Sequence, residues 1–294
     1  MITFRYHVVT LVAVFMAIGL GVLFGATFID QNIVDGLEAA QARLGDRNQT
    51  LRGHIVDLER ENQALQTFTG STRDLVVRNS LRDVPIVLVT FESTPGDALD
   101  AVRETLTLAG ARTVGQLNLS DRLDLRSEQN REALATVLGL TSRDPAVLSE
   151  ELVAQLGTAV VGQNPEFLTR LLAAELASEP IALAADVVVP DDPPAVVMVG
   201  GGVASEINDR IAVPLARELG TRQTVTAAVE KGTDIQLLKP VRDDSGLRVV
   251  TVDSIETPLG QSSLAIGLQG ALGGQFGHYG RAGGATTALP ILES

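Results

Sequence analysis

Two hydrophobic rhythms organise the chain, and they meet near residue 30. From Val8 to Ile29 the side chains are apolar almost without interruption, with no charge and only Thr10 and Thr27 as polar members. About 20 such residues carry an α-helix across the hydrocarbon core of a bilayer, so residues 1–29 read as a cytoplasmic tip and a transmembrane helix. The spacing then changes to seven: Leu37, Leu44, Leu51, Leu58 and Leu65 recur at strict intervals. With leucine at d, the a positions are Val34, Gln41, Asn48, Ile55 and Asn62, where a buried asparagine favours one register and a low strand number. Residues 30–66 are predicted to form a parallel coiled coil. Residues 67–84 hold Gly70 and Ser71 and show no clean period, so they read as a hinge or short helix linking coil to domain.

Beyond residue 84 the rhythm shortens again. Pro85–Phe91 is a nearly continuous apolar run rich in β-branched residues, the signature of a strand buried on both faces of a parallel sheet. A helix with Leu99, Val102 and Leu106 on one face follows and ends at Gly110, and a second strand spans Thr113–Leu119. Residues 120–178 carry three helical stripes: Leu134, Val137 and Leu138; Leu148, Leu152 and Leu156; and Phe167, Leu168, Leu171, Leu172 and Leu176. The pattern from Ile181 to Val189 is ambiguous, and 190–194 is a stiff, polar break. Strands resume at Ala195–Val199, Thr224–Val229 and Arg248–Val252, with a helix bearing Ile207, Ile211, Leu215 and Leu219 between the first two. Alternation of strands and helices over 85–294 predicts an α/β domain, doubly wound and Rossmann-like, with a helical insertion.

Small residues at Ala13, Ala17, Gly21 and Gly25 share one face of the span, and Gly21 and Gly25 form the GxxxG spacing that lets two helices approach closely. The predicted pairing face is thus Ala17, Gly21, Gly25, Leu37, Leu44, Asn48, Leu51, Ile55, Leu58, Asn62 and Leu65. Gly45 and Gly53 each weaken the helix by about 1 kcal/mol relative to alanine, and Arg47 at g would face Arg52 at e of the partner. Such a coil is marginal, and therefore also available to the helix of a partner membrane protein. One amphipathic helix lying against its own domain is the competing reading.

Charge sets the sidedness and narrows the partners. Arg5 and the amino terminus precede the span, whereas Asp30, Asp35 and Glu38 follow it, so the positive-inside rule places the amino terminus in the cytoplasm and the bulk outside the cytoplasmic membrane. A cleaved signal peptide is the alternative, but its apolar region is normally 7 to 15 residues. The formal net charge of −13 over 294 residues argues against nucleic acid or an anionic lipid surface as partner. There is no cysteine, and only three histidines and three methionines are present, which removes disulfides and thiolate ligands.

Little else in the sequence carries chemistry. Gly200, Gly202 and Ser205 occupy the slots of a G-x-G-x-x-G turn after a strand, with Glu230 where a ribose-binding acid would stand, but the third glycine is missing. The expectation is that no cofactor binds there. For metal, His278 and Met198 are the sole soft ligands of the exported domain, and His54 lies in the coil; His278 is the one weak candidate. Asp191–Asp192 and Asp243–Asp244 read as solvated turns. No serine, histidine and acid spacing forms a triad, so no enzymatic activity is expected. Residues 273–284 pack six glycines around Phe276, His278 and Tyr279, either a folded loop docking its aromatics or a flexible tail.

Several of these segments together resemble one family. Met1-Ile2-Thr3-Phe4-Arg5-Tyr6-His7, the span ending in Gly21-Val22-Leu23-Phe24-Gly25, the coil, Val252-Asp253-Ser254-Ile255-Glu256 followed by Gly260, and Gly274-Gln275-Phe276-Gly277-His278-Tyr279-Gly280 make the whole chain similar to the mycobacterial copper transport protein B family of actinobacteria. The resemblance implies a cell-envelope protein associated with copper transport or an outer-membrane channel, with some relatives linked to cell division through a partner membrane protein. It carries over no catalytic or ligand residues. The residues themselves favour a membrane-anchored, dimerising interaction module. The alternative is a copper efflux or channel component acting within an oligomer, with copper as a low-priority ligand.

Overall fold

Strand β1, Pro85–Phe91, shows how the domain is built, because its side chains alternate between two separate cores. Val87, Val89 and Phe91 point into one, Ile86 and Leu88 into the other. With both faces buried there is no polar side, which is why the strand reads as an unbroken apolar run. The computed structural model describes residues 3–178, 193–201, 205–222 and 224–290, without the side chains of residues 3–4, 26–36, 38–39 and 205. The ambiguous stretch 181–189, most of the break 190–194, and Gly202 lie outside the described residues.

The chain divides between Leu65 and Gln66 into two units. Helix α1, Thr3–Val77, runs unbroken for 75 residues; it includes Arg5–Gly25, the one described helix apolar and long enough to cross a bilayer. Helical backbone thus continues through much of 67–84, and Val77 and Leu81 end in the core of the second unit. Among the described residues, the second unit contains α2 (Gly96–Leu108), β2 (Arg112–Leu119), α3 (Glu128–Leu138), α4 (Pro145–Ala159), α5 (Pro165–Ala173) and β3 (Ala177–Ser178). After these come β4 (Ala195–Val199), α6 (Ser205–Ile207), α7 (Val213–Thr221), β5 (Thr226–Val229), α8 (Leu238–Arg242), β6 (Val250–Val252), α9 (Pro258–Leu272) and β7 (His278–Tyr279).

These strands form one seven-stranded sheet in the order β3-β2-β1-β4-β5-β6-β7. All neighbours are parallel except β3, which pairs antiparallel with β2. Helices α3, α4, α5 and α7 cover one face, and α2, α9 and the end of α1 the other. The connections leaving β1 and β4 therefore pass to opposite faces, and a crevice is expected beyond the carboxyl ends of these neighbours. Helix starts follow local chemistry: Ser127, Asp144, Asn164 and Thr257 each accept a backbone N–H of the first turn, and Pro145, Pro165 and Pro258 open their helices.

Two elements depart from the sequence pattern. The helix expected through Ile207 and Leu219 is interrupted by a π turn at Asn208–Ala212, closed by a Val213 N–H bond to the Asn208 carbonyl. Pro214 supplies the reason, since it lacks an N–H and its ring crowds the carbonyl four residues back. Helix α9 has no amphipathic signature because it is buried nearly all round, and a helix without a polar side shows no period.

Candidate functional site

On α1 the leucine row is exposed. Leu37, Leu44, Leu51, Ile55, Leu58 and Leu65 are all more than half exposed, and Ala17, Asn48 and Asn62 are exposed with them. Apart from the adjacent residues and the helix's own backbone, no described atom lies within 4 Å of where a Cβ would stand on Gly21, Gly25, Gly45 or Gly53. The small-residue face of the span and the seven-residue row are both open.

The glycine turn after β4 is used by its own neighbours. A Cβ on Gly200 would stand 2.8 Å from Leu237 Cδ2 and 3.2 Å from Glu230 Cγ, so glycine permits that loop to press onto the strand end. Gly201 has φ +103° and faces Pro95. Glu230 is buried, and its carboxylate accepts the backbone N–H groups of Gln236, Leu237 and Leu238 at 3.2, 3.1 and 2.9 Å. It holds the loop that leads into α8. Burial pushes its pKa up, opposed by those three hydrogen bonds and by Arg242. Lys231, which follows β5, forms an ion pair with Asp97 at the start of α2.

A set of residues that sequence reasoning missed lies at the carboxyl end of β6. Arg242, at the end of α8, and Asp253 form an ion pair at 3.0 Å with side chains 1% and 0% exposed. The guanidinium donates Nε to Thr251 Oγ1 at 2.9 Å, Nη2 to the Tyr279 carbonyl at 2.9 Å, and Nη1 to the carbonyls of Gly283 and Ala282 at 3.2 and 3.4 Å. Asp253 in turn accepts from Ser254 Oγ at 2.9 Å and from the N–H groups of Arg281 and Ala282 at 2.8 and 3.0 Å. A buried charge pair persists only when its remaining hydrogen-bonding capacity is filled in this way.

This network decides the fate of residues 273–284: they form the folded loop. A Cβ on Gly280, which has φ +130°, would overlap the Asp253 carboxylate. The Tyr279 ring lies between Gly267 and Gly277: a Cβ on Gly277 would collide with it, and one on Gly267 would crowd it at 3.1 Å. A Cβ on Gly260 would meet the Ser254 carbonyl. The two motifs around Asp253 and around Gly277 are therefore one structural unit. Its only sequence signal was an acid following an apolar strand and a glycine-rich run far downstream.

His278 lies on β7 with Nδ1 3.1 Å from Thr251 Oγ1, and burial, with Arg242 adding to it, lowers its pKa. Met198 is buried in the core, and His54 is exposed on α1. Among the described residues no three His, Cys, Asp or Glu side chains come together as a metal site. Asp244 faces Arg217 at 3.5 Å and accepts the Gly246 N–H, while Asp191 and Asp192 lie outside the described residues.

A single apolar amino-terminal helix followed by a mixed α/β domain on a mostly parallel sheet defines the class. The chain belongs to the family described as "Copper transport outer membrane protein, MctB", whose model matches residues 1–290. It is similar to the copper transporter MctB of Mycobacterium bovis and to that of Mycobacterium tuberculosis. Each is 25% identical over 312 residues, covering 97% of this chain and 98% of the relative.

Proposed function

We propose that this chain is a single-pass protein of the cytoplasmic membrane, amino terminus inside, whose α1 self-associates as a parallel coiled coil. In this reading the α/β unit, doubly wound and Rossmann-like, is an interaction module facing the cell envelope. The observation that carries the reading is the row of leucines at seven-residue spacing, every one exposed; apolar side chains in such a row gain most by packing against a like helix. The domain's donor set favours an indirect link to copper, through the organisation of envelope partners, because cysteine is absent and the one exported histidine stands apart from other soft ligands. No catalytic role is assigned.

Absence of native cysteine makes the test clean. In native membranes, Leu51→Cys and Leu58→Cys, each as the only cysteine, should give disulfide-linked dimers on mild oxidation. Failure of both would sink the pairing. The second reading, a copper-conducting component within an oligomer, is favoured by the family's description as a copper transport protein of the outer membrane. Isothermal titration of the detergent-solubilised protein with Cu(I) and Cu(II) separates the two: stoichiometric submicromolar binding that is lost in His278→Gln would favour conduction over scaffolding.

A further inference from the structure

The corner that joins α1 to β1 displays an unusual surface. Leu75 is 81% exposed, the highest value among the exposed large hydrophobic side chains described, and Val76 beside it is also exposed. One turn further on come Arg78 and Arg82, and Arg112 joins them from the start of β2, its Nε bonded to the Asp83 carbonyl at 3.4 Å. All three arginines are exposed, and among the described residues none of them forms a salt bridge. The neighbouring acid Asp74 is taken by Arg73, which also holds Glu104; Asp83 is the remaining carboxylate of the corner.

This surface is held rigidly. The N–H groups of Asn79, Leu81 and Asp83 bond the carbonyls of Leu108, Ala109 and Gly110 at 3.3, 2.9 and 2.9 Å, and Leu81 is fully buried. Asn79 and Asp83 both adopt φ +61°, a backbone region that costs free energy for non-glycine residues and persists where its surroundings enforce it. Preorganisation of this kind reduces the ordering cost of binding.

We propose that Leu75, Val76, Arg78, Arg82 and Arg112 form a docking surface for a segment of another protein that carries carboxylates around an apolar side chain. Charge complementarity selects this occupant. The chain as a whole bears −13, so an acidic partner is repelled by most of the surface and attracted to a corner where Arg78, Arg82 and Arg112 are all exposed and form no salt bridge among the described residues. The adjoining Leu75 favours a protein over a bare polyanion, which would use the arginines alone. This surface lies outside the leucine row and does not depend on the coil pairing.

A photo-reactive benzophenone amino acid placed at Leu75 of the full-length protein in its native membrane tests the proposal, with the attachment point mapped by mass spectrometry. The expected adduct joins another protein at a carboxylate-rich segment, is retained in the charge-conserving Arg78→Lys/Arg82→Lys, and falls about tenfold in Arg78→Glu/Arg82→Glu. Arg112→Gln should lower it less. An unchanged thermal midpoint shows that these exposed substitutions leave the fold intact. No adduct, adducts to this chain itself, to lipid or to carboxylate-free segments, or a yield indifferent to charge reversal overturns it.

Discussion

The leucine row of α1 and the glycine-rich loop that closes the domain are built on opposite principles. In the row, a regular local pattern leaves its apolar side chains exposed, and in the pairing proposed above they would be buried only against a second helix. In the loop, an irregular sequence almost without apolar side chains is anchored by a buried ion pair whose members lie 11 residues apart and at least 20 residues before it. Regularity in sequence marks surfaces that repeat along an element. Tertiary anchoring needs no regularity, only the right few atoms at one point. The first region should tolerate substitution of single residues without unfolding the domain, and the second should not.

The largest expected effect comes from Asp253→Ala. It leaves Arg242 as an unpaired buried cation and strips two backbone N–H groups of their acceptor, and breaking such pairs costs about 3–5 kcal/mol. Guanidinium denaturation of the detergent-solubilised protein reads this loss, and limited trypsinolysis should begin at Arg281. A variant whose midpoint and cleavage pattern match the parent would end the contrast drawn above.

Gly280→Ala comes next. At φ +130° a side chain is strained, and its Cβ would occupy the position of the Asp253 carboxylate; the cost is about 1–3 kcal/mol from strain and overpacking together. Gly45→Ala on α1 has open space around it and should stabilise the helix by up to about 1 kcal/mol. Opposite signs for two glycine-to-alanine changes would be the sharpest statement of the difference, and equal signs in the same denaturation assay would refute it.

Asn48→Val with Asn62→Val should tighten self-association by roughly tenfold or more, because apolar a positions stabilise the coil that polar ones weaken. Sedimentation equilibrium in density-matched detergent measures it. Unaltered association would mean that these positions do not face a partner helix.

The smallest effect concerns pH. Burial holds the His278 pKa below its ordinary 6.5, so between the two values the unfolded chain binds the proton and the folded one does not. Stability should therefore be full above about pH 6.5 and decline as the pH falls through that point. His278→Gln should flatten this decline in a series of denaturation curves, and a parent protein equally stable from pH 7.5 to 5.5 would contradict it.

Much of the fold was legible because its strands are buried on both faces: Pro85–Phe91 and Ala195–Val199 could be read directly from apolar runs. Helix α9 was not, since burial on every side erased the period that reveals helices. Gly200 and Glu230 drew notice as a nucleotide-like turn, yet the structure turns them on each other's loop, Glu230 capping residues 236–238. Nothing local in the sequence announced Arg242, because an arginine in a five-residue helix looks like solvent-facing charge until its partners arrive from β6, β7 and the closing loop.

By itself the sequence determined the apolar span, the seven-residue row and the alternation of strands with helices, because each depends on interactions that repeat within a few residues along one element. Only the tertiary structure decided that the glycine-rich segment is a folded loop, that Asp253 and Arg242 are its anchor, and that Glu230 serves the backbone. Those outcomes rest on contacts between atoms far apart in the chain, where burial raises the cost of every unsatisfied polar group and so selects one arrangement.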